Sequence, residues 1–156
     1  MADELDPIAL QILDLLADDG RMSYQAIADQ VGLSRPAVME RVKRLEEQGF
    51  ITGYHARVDR ARLGRPVTAF VAVRYPTSTE GEEPEIRALA DHPDVLECHH
   101  VAGDDCYMLK VAAPSLEKLE LVLRSLKGPE RPVSTRTTIV LSTVFEKPGV
   151  RPSPVS

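Results

Sequence analysis

The sequence predicts an α+β protein in two parts, with helices in its first third and a mixture of strands and helices after residue 66. Apolar residues recur every three to four positions between residues 8 and 45, which is the helical period. Short apolar runs rich in β-branched residues follow residue 66 and are typical of strands. Between the two parts lies DRARLGRP, whose alternating charge, glycine and proline predict a joint between domains.

These observations predict four segments with defined bounds. Residues 1–58 form a first domain, residues 59–66 a linker, and residues 67–147 a second domain. Residues 148–156 form an irregular tail, because KPGVRPSPVS contains three prolines and no apolar period.

Composition limits the class of protein. The chain has 156 residues, of which 43% are hydrophobic and 28% charged, as in a soluble globular protein. Acids stand at the start, where a signal peptide needs bases, and no apolar run approaches the roughly 18 residues of a membrane helix. Two cysteines are too few for a disulfide scaffold. We therefore expect a cytoplasmic protein with reduced thiols and no membrane partner.

Capping residues predict where three helices begin. Asp6 followed by Pro7 is typical of a helix start, because proline at the first helical position loses no hydrogen bond. Ser23 and Ser34 are predicted to cap the second and third helices, and Gly32 to end the second.

The third predicted helix has one apolar side. Val38, Val42 and Leu45 recur at helical spacing and predict its buried stripe. Rotation by about 100° per residue turns a basic face outward and leaves Arg41 near the buried edge. A short helix, the turn VGLS and a second helix with an exposed basic start are the layout of a helix-turn-helix, and FITGYHARVD after it has the composition of a small wing.

In such a motif the second helix enters the major groove of double-stranded DNA. The residues predicted to contact DNA are Ser23, Ser34, Arg35, Pro36, Met39, Arg41, Lys43 and Arg44. The alternative is that this charged face is only solvated surface. For Arg41 the alternative is an ion pair with an acid such as Glu46 or Asp29.

The second domain reads as β-α-β-β-α-β, the ferredoxin-like arrangement. Its predicted elements are the strand TAFVAVRY, the helix EPEIRALADHP, the strands VLECHHVAG and CYMLKVAA, a helix capped by Ser115, and the strand TTIVLSTVF. Two helices cover only one face of such a sheet, whereas the first and last strands are apolar on both faces. We therefore expect a homodimer whose second sheet covers the open face and whose two recognition helices lie about 34 Å apart.

Residues 1–64 resemble the Lrp/AsnC family of leucine-responsive, or feast/famine, regulators. The resemblance is carried by LDPIALQILDLLADDGRMSYQAIADQVGLSRPAVMERVKRLEEQGFITGYHARVDRARLG. About residues 66–147 resemble the effector-binding and assembly domain of the same family, through VAGDDCYMLKV and VSTRTTIVL. The resemblance implies a transcriptional regulator whose dimers bind promoter DNA sequence-specifically, assemble further into tetramers or octamers, and respond to a small effector, an amino acid.

The hairpin VAGDDCY is the predicted effector site. An amino acid needs a carboxylate for its ammonium group, and amides or hydroxyls for its own carboxylate. Asp104 or Asp105 could supply the carboxylate for the ammonium group. The amides or hydroxyls for the ligand carboxylate could come from Gly103 with Thr135, Thr137 or Thr138. The family usually has aspartate before the tyrosine, where this chain has Cys106. The alternative is that the glycine and aspartates only form a tight turn and the threonines only a strand.

The stretch CHHVAGDDC, residues 98–106, suggests a rival function, because thiols, imidazoles and carboxylates all bind transition metals. A metal-responsive sensor or a metal-dependent enzyme is therefore the alternative. Against it, His99 and His100 are adjacent on a strand and point to opposite faces, and the spacing matches no closed zinc motif. No catalytic or nucleotide-binding motif is found. The sequence favours a regulator without enzymatic activity, metal or cofactor.

Overall fold

The computed structural model describes residues 5–75, 86–126 and 133–147. The chain divides into two compact units. The first unit contains the residues up to Arg57 together with those from Phe145 onward, and the second contains Val58–Val144. The predicted tail, residues 148–156, lies outside the described residues, as does the start of the helix predicted from residue 83.

Three helices build the first unit: α1 (Pro7–Asp18), α2 (Tyr24–Val31) and α3 (Arg35–Glu47). Each begins at the predicted cap. The Asp6 carboxylate accepts the Ala9 N–H at 2.7 Å, and the Ser23 and Ser34 hydroxyls accept backbone N–H groups three residues on, at 3.1 and 3.4 Å. These bonds satisfy backbone donors that a helix start leaves unpaired.

The three helices share one apolar core. Val38, Val42 and Leu45 of α3 are buried, which confirms the predicted stripe. They pack in one cluster with Ile12 of α1 and Ile27 of α2. Burial of this stripe fixes the rotation of α3 about its axis and so decides which of its side chains meet solvent.

The segment predicted as a strand-like wing contains no strand over residues 51–59. The segment takes no strand conformation because a strand needs a neighbouring strand for its backbone groups, and the described part of this unit offers none. The segment is held by α3 instead. Phe50 and Ile51 donate N–H groups to the Leu45 carbonyl at 2.9 and 3.1 Å, and the Tyr54 hydroxyl donates to Glu46 at 2.9 Å. Burial and the Glu46 carboxylate raise the pKa of Tyr54 to about 12.

The described strands of the second unit form one antiparallel sheet in the order β2-β3-β1-β4. They are β1 (Val67–Arg74), β2 (Val95–His100), β3 (Tyr107–Ala113) and β4 (Ser134–Ile139). A helical segment at 86–91, ending in the 3-10 turn Leu89–Asp91, precedes β2, and α4 (Leu116–Ser125) precedes β4. This arrangement confirms the ferredoxin-like prediction.

The last strand differs from its predicted span, which ran from Thr137 to Phe145. β4 begins earlier, at Ser134, and ends at Ile139. Its end follows from its partner, since Ile139 pairs with Ala69 and the Val140 N–H reaches the Thr68 carbonyl, near the start of β1. Beyond that point β1 offers no further backbone groups.

The helices cover one face of this sheet. Val71 and Val73 of β1 and Leu109 and Val111 of β3 are buried there in one cluster with Leu119 of α4. Because side chains alternate along a strand, the residues between them face the other way. That second face, here called the open face, carries Phe70 and Ala72 of β1 and Met108 and Ala112 of β3. Phe70 is 41% exposed, so the single chain leaves a large apolar side chain uncovered.

Residues 59–66, predicted as a linker, form a hydrogen-bonded turn. The Asp59 carboxylate accepts the N–H groups of Ala61 and Arg62 at 2.9 and 3.2 Å, and Gly64 closes the turn with a φ of 76°. Arg65 then donates to the Pro93 carbonyl at 2.8 Å and pairs with the Asp94 carboxylate. These residues cluster with the second unit.

Candidate DNA-binding surface and effector site

The turn between α2 and α3 sets the recognition face. Gly32 adopts a φ of 70° at the end of α2, a conformation that glycine adopts without strain, and the Leu33 N–H donates to the Ala28 carbonyl at 3.1 Å. α3 therefore restarts two residues later with its own cap. The residues predicted for DNA binding that are exposed here are Ser23, Ser34, Arg35, Pro36, Met39, Lys43 and Arg44.

The cations on the exposed side of α3 make few and weak ion pairs. Lys43 lies 3.6 Å from Glu47, and both side chains are well exposed. An exposed i,i+4 pair of this kind is worth about 0.3–0.5 kcal/mol. Arg35 and Arg44 form no ion pair with any residue that the structure describes. The basic face is therefore available to a polyanion. We call the exposed amino-terminal side of α3, with Arg35 and Lys43, the basic face of α3, and Arg44 lies on its flank.

Arg41 is engaged within its own unit. It donates to the Asp6 carboxylate at 2.5 Å, and its side chain is about one-third exposed. The predicted alternative partners are occupied elsewhere, Glu46 by Tyr54 and Asp29 by Gln25. The expectation of an acid partner is thus met by a different acid, because the rotation of α3 turns Arg41 toward the start of α1. The hydrogen bond from Arg41, followed by that from the Ala9 amide, lowers the pKa of Asp6.

The predicted effector hairpin is tied to β1. The Val101 N–H donates to the Cys106 carbonyl at 3.0 Å, and the Cys106 N–H donates to the Val73 carbonyl at 2.8 Å. Gly103 adopts a φ of 132°, which favours glycine. Asp104 is exposed and forms no hydrogen bond or ion pair among the described residues. The loop thus presents one carboxylate to solvent from a fixed base.

The other carboxylate of the hairpin is occupied. Asp105 Oδ2 accepts a hydrogen bond from Arg136 Nη2 at 2.6 Å. Arg136 lies in β4 opposite Ala72, on the open face of the sheet. Sequence reasoning did not select Arg136, although it stands among the threonines singled out in VSTRTTIVL. Its partner lies 31 residues away, and no local pattern indicates that distance.

The three predicted threonines do not share one surface. Thr135 and Thr137 pair with Val73 and Val71 and therefore face the helices, whereas Thr138 faces the open side. Thr135 lies nearest to the hairpin along the sheet, because its partner Val73 also receives the Cys106 N–H. The structure thus brings Thr135 toward the loop and places Thr138 three residues further along the strand.

The cysteine and histidine stretch forms no metal centre in the described residues, where no group of three His, Cys, Asp or Glu side chains is placed to hold an ion. His100 packs on Tyr107 with ring centroids 5.0 Å apart, while His99 lies 3.3 Å from Glu97. The two imidazoles pair with Tyr107 and Met108 on opposite faces of β3. Partial burial raises the pKa of the Cys98 thiol.

Two family models cover most of the chain. One, described as winged helix-turn-helix DNA-binding, matches residues 5–52. The other, described as the Lrp/AsnC ligand binding domain, matches residues 68–150. The chain belongs to the Lrp/AsnC family.

The chain is similar over most of its length to named regulators and to a solved structure. LrpA of Mycobacterium tuberculosis is 36% identical over 147 residues, covering 93% of this chain and 95% of that protein. The Bkd operon transcriptional regulator of Pseudomonas aeruginosa is 40% identical over 121 residues, 77% of this chain and 79% of its own. A feast or famine regulatory protein from M. tuberculosis, solved with L-methionine, has a TM-score of 0.87 at 35% identity, covering 96% of this chain and all of that one.

This Lrp/AsnC chain is therefore a transcriptional regulator with a DNA-binding helix-turn-helix and a ligand-binding domain, which confirms both parts of the prediction. Its relatives are named as regulators of transcription rather than as enzymes. In the described part of the chain, no helix combines the length and the apolar character that a bilayer span requires.

Proposed function

We propose that this regulator binds promoter DNA as a homodimer through the basic face of α3, and that an amino acid bound at the 101–106 hairpin modulates its assembly or its DNA binding. The observation that carries the DNA part is the set of unburied cations on α3, held outward by the buried Val38, Val42 and Leu45. A protein with a net charge of -5 approaches a duplex only where cations are concentrated in this way.

The residues of α3 take different roles in this proposal. Arg35 lies in the first turn, where a side chain reaches base edges, and arginine binds guanine in bidentate fashion. Lys43, two turns on, binds backbone phosphate. Ser23 and Ser34 cap helix starts, and the amides there bind phosphate oxygens. Pro36 and Met39 supply apolar contacts beside them, and Arg44 and Arg41 lie toward the flank.

The effector part rests on the hairpin and on a relative. Asp104 and Asp105 provide carboxylates for an ammonium group, and Gly103 leaves the loop backbone accessible. The feast or famine regulatory protein solved with L-methionine shares the fold at 35% identity. An amino acid that binds one assembly better than another shifts the population toward that assembly. Of the three threonines, Thr138 shares the open face with Arg136, the partner of Asp105, whereas Thr135 and Thr137 face the helices.

Self-association is supported by the open face. Phe70 is 41% exposed there, with Ala72 and Met108 beside it and Lys110 opposite it on β3. An identical sheet packed through a two-fold axis would cover Phe70. The same association places two copies of α3 on one duplex. Further assembly into tetramers or octamers would join such dimers.

Selection of tight-binding duplexes from a random-sequence pool tests the DNA part. The selected sequence and its scrambled version are then compared by gel shift. We expect the wild type to prefer the selected duplex, and Arg35→Ala to lose about 1–3 kcal/mol of that preference. Arg62→Ala is the matched control, since it removes an exposed arginine from the second unit. Enrichment of no sequence, or equal loss in the two variants, would exclude α3 as the reading surface.

A further inference from the structure

Asp105 and Arg136 form an ion pair of unequal partners. The Asp105 side chain is only 18% exposed, whereas that of Arg136 is 73% exposed, with 2.6 Å between Oδ2 and Nη2. Asp105 Oδ1 accepts no hydrogen bond from the described residues. The carboxylate is therefore held in place with one oxygen unused, and most of the guanidinium remains open to solvent with further N–H donors.

The backbone on both sides of this pair is fixed. Cys106, next to Asp105, is bonded to β1 through the Val73 carbonyl, and Arg136 lies within the β1–β4 ladder opposite Ala72. Arg136 thus extends from a strand, and Asp105 extends from a loop residue whose neighbour, Cys106, is bonded to β1. Opposite charges presented side by side from a rigid base suit a ligand that itself carries both charges.

We propose that Arg136 is a specificity-determining residue of the effector site, and that it binds the carboxylate of a zwitterionic amino acid whose ammonium group binds Asp105. This rests on the proposed effector function of the hairpin. An amino acid carries its two charged groups on one carbon atom, so they lie close enough together to meet two side chains already in contact. Arginine suits the carboxylate because its planar guanidinium offers paired donors.

Without ligand, each member of the pair neutralises the other. An amine lacking a carboxylate has to compete with Arg136 for Asp105, and an acid lacking an ammonium has to compete with Asp105 for Arg136. A zwitterion satisfies both members and leaves no charge unpaired. Arg136 therefore selects for ligands that carry both groups.

The identity of residue 106 fits this reading. The residue before Tyr107 is a half-buried cysteine, so this position supplies no carboxylate to a ligand. Asp105, one position earlier, is the hairpin carboxylate that the structure holds against β4. In this chain Asp105 is therefore the residue that would bind the ammonium group, and Arg136 is already in contact with it.

Binding measurements with three related probes test the proposal. The probes are L-methionine, its methyl ester, which lacks the carboxylate charge, and N-acetyl-L-methionine, which lacks the ammonium. If a thermal-shift screen of the twenty amino acids selects another one, the same derivatives of that amino acid are used. For the wild type we expect the zwitterion to bind at least about tenfold more tightly than either derivative.

The variant Arg136→Gln should reverse part of this preference. We expect the zwitterion to bind about tenfold more weakly and the methyl ester to bind more tightly than it does to the wild type, because Asp105 no longer has an internal partner. Arg124→Gln is the matched control. Arg124 is 72% exposed and pairs with Glu120 at the same 2.6 Å, but on α4. It should leave all three affinities unchanged, and equal melting temperatures of the two unliganded variants show that both fold.

Two results would overturn the proposal, and they are distinguishable. If the wild type binds an amino acid and Arg136→Gln keeps the same preference for it over the ester, the role of Arg136 is wrong while the effector function stands. If the wild type binds none of the twenty amino acids, the effector function fails and the role of Arg136 fails with it. An equal loss of affinity for all three probes in Arg136→Gln also contradicts the proposal. If Arg136 binds only the ligand carboxylate, its removal cannot weaken the binding of the ester, which has no carboxylate.

Discussion

Arg41 of α3 donates to the carboxylate of Asp6 across 2.5 Å, so the residue that caps α1 also holds the recognition helix. Asp6 divides its two oxygens between these tasks. Oδ1 accepts the Ala9 amide and Oδ2 accepts the Arg41 guanidinium. Because the partners lie 35 positions apart, this contact fixes α3 against α1 in a way that no local cap could.

Two substitutions at Asp6 should separate these tasks. An asparagine at this position keeps an oxygen for the cap but removes the charge, so Asp6→Asn should lower the free energy of unfolding by less than about 1 kcal/mol, given that the pair is partly exposed. Asp6→Ala removes the cap as well and should cost about 1 kcal/mol more. Urea denaturation followed by circular dichroism measures both. Equal losses in the two variants would show that the cap contributes nothing.

The lowered pKa of Asp6 predicts a pH dependence in the acid range. A carboxyl group whose pKa falls on folding stabilises the native state above its unfolded pKa, about 3.9, and that contribution is lost as pH falls through the folded value. The difference in free energy of unfolding between wild type and Asp6→Asn should therefore shrink below about pH 4. Denaturation of both proteins across this range measures it, and a constant difference would contradict the assignment.

Lys43→Ala should weaken the binding of every duplex by about the same factor, because a phosphate contact carries no sequence information. It should also reduce the slope of log affinity against log salt by about 0.9, the value for one released phosphate contact. Titrations of selected and scrambled duplexes at several salt concentrations measure both quantities. A loss confined to the selected duplex would instead place Lys43 at a base edge.

Phe70→Asp should dissociate the proposed homodimer, because it replaces the large exposed apolar side chain of the open face with a charge. Phe50→Asp is a close control, since Phe50 is 40% exposed and lies in the first unit. We expect sedimentation equilibrium to give a monomer for Phe70→Asp and the mass of the wild type for Phe50→Asp. An unchanged mass in both, with melting temperatures near that of the wild type, would place the subunit contact elsewhere.

Local features of this fold were predictable, and long-range ones were not. The caps at Asp6, Ser23 and Ser34 depend on bonds three residues long, so a short stretch of sequence contains the whole cause. The buried stripe of α3 and the order of the second domain follow from apolar periodicity in the same way.

The errors arise where a partner lies far along the chain. The acid that Arg41 meets and the arginine that Asp105 meets depend on how whole elements pack, so neighbouring residues do not indicate them. The wing segment forms no strand over residues 51–59, and the last strand ends earlier than predicted, because strand formation depends on the backbone of another segment. Thr138 lies on the opposite face of the sheet from Thr135 and Thr137, because successive side chains of a strand alternate between its two faces.

β4 occupies the edge of the sheet, with β1 as its one described neighbour. An edge strand invites a foreign strand to add to it, and native proteins discourage this with charged side chains. Arg136 lies in the middle of β4 and is the one charged residue of that strand. The side chain that we assign to ligand selection is thus also the charge that would oppose such strand addition, so we expect an uncharged substitution at this position to lower the solubility of the protein.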